Sequence, residues 1–385
     1  MMQTLHIDKL RALLESTMQD DLDDCRIGGA SVIVAQEGQP VFTGRYGKSN
    51  TDTGDAMAPR TIFRLASMTK PVTAAAVLLQ IQRGKLDLND EVSRYIPSFA
   101  SMMVGKEEND LVVPDHPASE PIRLFHLLTH TSGVLAADYV GTHQVIPPQA
   151  MQSLESIVNY YGEHILLTNS PMEQARYSPC AAFDVAARLV ELSADMPYAD
   201  FLRENLFDPL EIPDATFAPT DEQWSRMAAM HDRTEDGRNA VVDMGPHTFA
   251  DFPLSYTCGG ASLCASIEDY AHFAEMLLCE GSYRGRTVLR PEMVAMMRAP
   301  RIPESVCGIG GGETWGLGVR VITGSPALPR GSFGWSGAYG THFWVDPTNR
   351  LYAVYAKNSC YDGGSGAQTA RRFEQCVMNA LDAPL

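Results

Sequence analysis

The strand-forming segments of this chain sit at its two ends, with a long helix-patterned stretch between them. Ala30-Ser31-Val32-Ile33-Val34-Ala35 and Pro40-Val41-Phe42-Thr43-Gly44 flank Gln36-Glu37-Gly38-Gln39, the pattern of a β-hairpin. Near the other end, Val319-Arg320-Val321-Ile322, His342-Phe343-Trp344-Val345 and Leu351-Tyr352-Ala353-Val354-Tyr355-Ala356 read as three more strands. Asp346-Pro347-Thr348-Asn349 turns the chain between the last two. Leu5, Leu10, Leu13, Leu14 and Met18 trace one face of a helix at the start, and Phe373, Val377 and Leu381 mark another over Gln368 to Leu381. An α+β fold follows: one antiparallel sheet made from both chain ends, flanked by N- and C-terminal helices, plus a mainly helical domain. The expected boundaries are 1–66 with 280–385 for the sheet domain and 67–279 for the helical one. Two polar, proline-bearing segments, Gly105 to Pro121 and Phe207 to Asp251, read as long loops that shape a pocket.

The formal charge of −17 argues against nucleic acid, an anionic membrane surface or a polyanionic substrate as partner. No stretch approaches the ~18 uninterrupted apolar residues of a membrane span. Met1 to Asp24 has no basic segment followed by an apolar core, so it does not read as a secretory signal, and the expectation is a cytoplasmic protein. Eight cysteines at 25, 180, 258, 264, 279, 307, 360 and 376 form no Cys-x-x-Cys pair. They read as reduced core residues rather than disulfides or zinc ligands.

Chemistry concentrates at Phe63-Arg64-Leu65-Ala66-Ser67-Met68-Thr69-Lys70. Residues three apart share a helix face, so Ser67 and Lys70 form a compact nucleophile–base unit. A serine hydroxyl needs a neighbouring base to take its proton, and a lysine serves only where its surroundings favour the neutral amine. An isolated pair at this spacing is more often a solvated helix start. Here Val72, Ala75, Ala76, Leu79 and Ile81, closed by Gly84, extend it into a buried helix. Pro71 crowds the Ser67 carbonyl, so the first turn must be irregular or the serine must precede the regular helix.

Tyr177 lies just before a helix through Phe183, Ala186, Leu189 and Val190, with Ser178 expected as N-cap and Pro179 as first helical residue. A loop phenol there is commonly packing, yet beside a lysine it can act as a base. Gly334-Trp335-Ser336-Gly337-Ala338-Tyr339-Gly340 is glycine-dense, allowing close backbone approach to a ligand and an oxyanion hole built from N–H groups. Ser336 does not complete a G-x-S-x-G elbow, because position 338 is alanine. His126 and His130 have zinc-helix spacing but Leu127 stands where the glutamate belongs, so both read as structural. Gly310-Gly311-Gly312 lacks the lysine and context of a phosphate loop.

Taken together these pieces resemble the serine β-lactamase / penicillin-binding-protein-like family, in its class C-like branch, closest to family VIII carboxylesterases. The carriers are Phe63 to Pro71, then Ile122-Arg123-Leu124-Phe125-His126-Leu127-Leu128-Thr129-His130-Thr131-Ser132-Gly133. Next come Tyr177-Ser178, Gly259-Gly260-Ala261-Ser262-Leu263 with Asp269 after it, and Trp335-Ser336-Gly337, in order over about residues 25 to 360. The resemblance implies that Ser67 is acylated, that Lys70 and Tyr177 share the proton shuttling, and that the N–H groups of Ser67 and Ala338 hold the oxyanion. It implies no metal or organic cofactor. Two departures stand out. Pro179 replaces the asparagine of Tyr-x-Asn, and Trp335-Ser336-Gly337 replaces Lys-Thr-Gly, so these three residues are expected to line a site for an uncharged acyl or alcohol group. Both favour a small-molecule ester substrate. A β-lactamase, D-aminopeptidase, amidase or acyltransferase on the same machinery stays open, as does a non-catalytic binding protein. Oligomeric state is not legible.

Overall fold

The structure, a computed structural model, describes residues 2–109, 111–135, 146–242, 256–325 and 327–382. Its centre is a seven-stranded antiparallel sheet of β1 (Gly29–Gln36), β2 (Gln39–Gly47), β3 (Glu313–Trp315), β4 (Arg320–Ile322), β5 (Phe333–Ser336), β6 (Thr341–Asp346) and β7 (Leu351–Lys357), in the order β3-β4-β5-β6-β7-β1-β2. Both chain ends do build it: Val32 pairs with Tyr355 and Ile33 with Val354. The β1–β2 turn has positive φ at Glu37 (55°) and Gly38 (75°), the geometry of a type I′ hairpin whose twist suits two strands.

β1 is buried on both faces, which explains its unbroken apolar run. Ala30, Val32 and Val34 face α1 (Ile7–Asp23) and the C-terminal helix α6 (Gln368–Asn379), packing with Leu10, Leu14, Met18, Phe373 and Val377. Each buried leucine there contributes about 1.5–3 kcal/mol. Ile33 and Ala35 point the other way, into the larger core shared with the helices. That core is organised around α2 (Thr69–Gln82), buried from Thr69 to Gln80, together with α3 (Leu154–His164), α4 (Ala181–Ala194) and α5 (Ile267–Leu278).

Several elements differ from the sequence reading. α5 packs on the sheet, with Tyr270 edge-on to Phe343 at 5.0 Å, so a boundary at 279/280 cuts after a helix that belongs with the sheet. β3 and β5 were not anticipated, being three or four residues long between glycines. The segment from Gly105 is no plain loop: Met103–Glu108 and Leu111–Pro117 pair as an exposed hairpin. Pro114 and Pro117 are tolerated because a two-stranded ribbon has an open edge on each side. The stretch from Phe207 carries short helices and the pair His231–Arg233 with Asn239–Val241, while 243–251 lie outside the described residues. No helix among the described residues is long and apolar enough to cross a membrane.

Candidate active site

The Ser67 segment reaches the helix through a left-handed residue. Ala66 has φ 47°, and Ala66–Met68 form one 3₁₀ turn before α2 begins at Thr69. That is the irregular start Pro71 demanded. Pro71 sits in the first turn, where its missing N–H would have had no helical acceptor. The Thr69 hydroxyl donates to Ala66 O at 2.7 Å and accepts the Leu263 N–H at 3.1 Å, tying the turn to the neighbouring strand Cys264–Ser266. A non-glycine residue held in this region costs about 1 kcal/mol, and here it sits directly before Ser67.

Lys70 is fully buried beneath Ser67, which is itself partly exposed. Its Nζ lies 3.2 Å from Ser67 Oγ and donates to Pro179 O at 2.5 Å and Gly260 O at 2.9 Å. It also stands 4.8 Å from the centre of the Tyr177 ring and 5.5 Å from that of Phe183. Among the described residues no carboxylate is within ion-pair distance of it. The three contacts fix what a neutral amine can do there. With the amine neutral, two N–H groups would satisfy the two carbonyls, which can only accept, and the lone pair would face the serine hydroxyl.

Tyr177 lies in the loop before α4. Its hydroxyl accepts the Trp335 indole N–H at 3.3 Å, and its ring packs against His130, Trp315 and Trp335 at 4.6, 6.0 and 5.4 Å. α4 starts later than expected: Cys180 occupies the N-cap position, and the Ser178 hydroxyl instead accepts the Ala182 N–H at 3.0 Å. Pro179 thereby keeps its carbonyl free of the helix, where Lys70 takes it.

The histidines are structural in a specific way. His130 Nδ1 accepts the Ser178 N–H at 3.1 Å, and His126 Nδ1 accepts the Arg123 N–H at 3.1 Å. Complete burial, with the nearby Lys70 cation, pushes His130 well below the ordinary histidine range, and burial takes His126 down to about 4. Neutral His130 is thus a floor under the Tyr177–Ser178 loop. Asp269, further along the resembling blocks, accepts the Asp214 N–H at 2.6 Å and supports that turn.

β5 divides its residues between the two faces of the sheet. Trp335 points to Tyr177. Ser336 points away: its hydroxyl is 2.8 Å from His342 Nδ1, whose Nε2 lies 3.0 Å from Glu374 on α6. The expectation that Ser336 lines the substrate site therefore meets a placement on the opposite face. Burial opposes ionisation of Glu374, but His342 and Arg320 outweigh it and hold the carboxyl down at about 2. Gly337 is required by close approach, since a Cβ there would lie 2.2 Å from Leu65 O and from Thr341 Oγ1. The end of β5 thus runs against the residues leading into Ser67, and Ala338 stands exposed at the rim. Behind it the Gly364 N–H donates to Gly337 O at 3.0 Å, and a Cβ on Gly363 would strike Ala338 O at 1.7 Å. Buried Lys357, pushed down to about 8 by desolvation, anchors that loop by donating to Tyr361 O and Asp362 O.

Ser67, Lys70, Tyr177 and Trp335 are therefore brought together, with Gly337 and Ala338 alongside. The carbonyls of Pro179 and Gly260 and the Trp315 ring escaped the sequence reading, in which His130 figured only as a structural histidine. Only the Gly259-Gly260 pair gave any signal.

Comparison with known proteins gives concordant results. A model of the β-lactamase family matches residues 14–375. Protein Rv1367c of Mycobacterium tuberculosis is 30% identical over 372 residues, covering 90% of each chain. Esterase EstB of Burkholderia gladioli is 28% identical over 396 residues, covering 95% of each. Among solved structures, EstCE1, described as a hydrolase with promiscuous acyltransferase activity, superposes with a TM-score of 0.81 at 24% identity, over 96% of this chain and 99% of its own.

Proposed function

The chain belongs to the β-lactamase family, and we propose that it is a serine hydrolase that cleaves small carboxylic esters through an acyl-enzyme. One observation carries this reading: Lys70 Nζ is held by two backbone carbonyls with its remaining position facing Ser67 Oγ at 3.2 Å. Ser67 Oγ attacks the ester carbonyl carbon while its proton passes to Lys70, with Tyr177 sharing the transfer. The carbonyl π pair moves to oxygen, where the N–H groups of Ser67 and Ala338 receive the negative charge. Collapse re-forms the C=O and breaks the bond to the leaving alkoxide, which takes the proton back and departs as the alcohol. Water then repeats the attack on the acyl-enzyme, giving up a proton to the same base. The carboxylic acid leaves and Ser67 regains its hydroxyl.

Ester preference is supported by the two departures from the amide-directed pattern. At position 179 proline offers no side-chain amide for an amide-bearing substrate. At 335 tryptophan replaces a lysine cation with a neutral N–H donor aimed at Tyr177. Similarity to an esterase, EstB, points the same way. Acyl transfer to an alcohol instead of water is the second reading, favoured by the likeness to EstCE1.

Intact-mass spectrometry after incubation with a fluorophosphonate probe tests this directly. Wild type should gain one adduct and Ser67→Ala none, with Ser67→Ala keeping less than about 1% of esterase turnover, as expected when a nucleophile is deleted. Short p-nitrophenyl esters should then outrun nitrocefin and D-amino-acid amides. An unlabelled wild type, or nitrocefin as the best substrate, overturns the reading.

A further inference from the structure

Behind Lys70 lies a second polar cluster that takes no part in the steps above. Asp184, in the first turn of α4, is fully buried. Its Oδ1 accepts the Gly259 N–H at 2.8 Å; its Oδ2 accepts the hydroxyls of Tyr161 on α3, at 3.1 Å, and of Tyr256. Burial pushes this carboxyl up to about 6 in spite of those donors. A buried carboxylate with three donors on it is an expensive way to fill space, and its position asks what it holds.

It holds Gly259, and Gly259 is gripped from its other side as well. The Gly259 carbonyl accepts the Thr73 hydroxyl at 2.6 Å, and Thr73 Oγ1 is in turn 2.6 Å from the Tyr198 hydroxyl. The next carbonyl along the chain, Gly260 O, is one of the two that hold Lys70. Neither glycine can carry a side chain. A Cβ on Gly259 would lie 2.3 Å from Phe183 O, and one on Gly260 would lie 2.7 Å from Pro179 O. The pair is pressed against the start of α4 with its N–H and C=O both spoken for.

We propose that Asp184 and Thr73 are positioning residues that hold Gly259 by its N–H and its C=O, fix the Gly260 carbonyl that follows it, and so aim the Lys70 amine at Ser67. The proposal rests on Lys70 being the base of the acyl-enzyme reaction. A neutral amine that loses one of its two carbonyls can rotate, presenting an N–H instead of the lone pair to Ser67 Oγ. The cost then falls on proton transfer and not on ester binding.

The test compares wild type with Asp184→Ala, Asp184→Asn and Thr73→Val. It reads the second-order rate of fluorophosphonate labelling at Ser67, kcat and KM for a short p-nitrophenyl ester, and the melting temperature. Asp184→Ala should label about 100-fold more slowly, the scale of a mis-set general base, with KM unchanged. Asp184→Asn keeps an oxygen for the Gly259 N–H and should retain the rate within about fivefold. Thr73→Val, nearly isosteric, should lose about tenfold in kcat and labelling alike. A folded Asp184→Ala or Thr73→Val at the wild-type rate overturns the proposal. So does an Asp184→Asn as slow as Asp184→Ala, or a loss confined to KM. If Asp184→Ala does not fold, Thr73→Val decides the matter. A wild type that takes no label at Ser67 overturns the functional reading itself, and this proposal with it.

Discussion

At the scale of single residues, the site depends on which groups have acceptors and donors to spare. Trp335 offers its indole N–H to the Tyr177 hydroxyl, so Trp335→Phe keeps the ring but removes the donor. A hydrogen bond of about 1.4 kcal/mol corresponds to about tenfold in rate, and kcat for a short ester should fall by that factor with little change in melting temperature. Glu374 gives a prediction of another kind. Its carboxyl is depressed to about 2 from an ordinary value of 4.5, so the folded state holds its proton more weakly than the unfolded one. The resulting stabilisation is fully present above pH 4.5 and is lost as the pH falls through about 2. It amounts to about 3 kcal/mol at 1.36 kcal/mol per pH unit. Denaturant titrations of wild type and Glu374→Gln should therefore differ by about 3 kcal/mol at pH 6, and the gap should close towards pH 2. A pH-independent gap would show that Glu374 acts through packing alone. Ser67 and Lys70 were legible from sequence because their contact is local, three residues along one turn. The partners of Tyr177 were not, because Trp335 and His130 arrive from distant segments and nothing in their neighbours' spacing encodes the meeting.

At the scale of elements, the helices and long strands were readable because burial leaves a periodic mark, as in Leu10, Leu14 and Met18 of α1 or the doubly buried β1. The departures came where another constraint overrode periodicity. β5 carries Gly334 because a Cβ there would lie 2.1 Å from Phe343 O, so close strand approach erases the usual β-branched signal. α4 begins after Pro179 because Lys70 claims that carbonyl. The β5 end makes the sharpest element-scale prediction. Gly337→Ala must push the strand away from Leu65 or displace Thr341, both at 2.2 Å from the added Cβ. It should lower stability by about 2 kcal/mol and abolish labelling of Ser67, since the strand and the nucleophile segment share that contact. A Gly337→Ala protein with wild-type melting and labelling would show that the strand end has room that the geometry denies it.

At the scale of the whole molecule, the two ends of the chain lie side by side. The His6 N–H donates to Ala380 O at 2.9 Å and the Asp382 N–H to Thr4 O at 3.1 Å. A short glycine–serine linker from 382 to 4, with new ends opened at the exposed turn by Gly54, should give a circular permutant that folds and keeps its esterase rate. It should also refold faster, because only α6, the linker and α1 then separate β7 from β1, which shortens the sequence separation of their contacts several-fold. Equal or slower refolding would show that the sheet's closure is not the slow step. The native order has the opposite property. Val32 cannot meet Tyr355 until 323 further residues have been made. At about 5–20 residues per second on the ribosome, that is roughly 15–65 s. For all that time a strand apolar on both faces, with half its ladder unpaired, sits in a nascent chain among other nascent chains. The cell has to shelter it, and a polar change in β1 that scarcely alters the finished enzyme would show first as a change in how much of it survives its own synthesis.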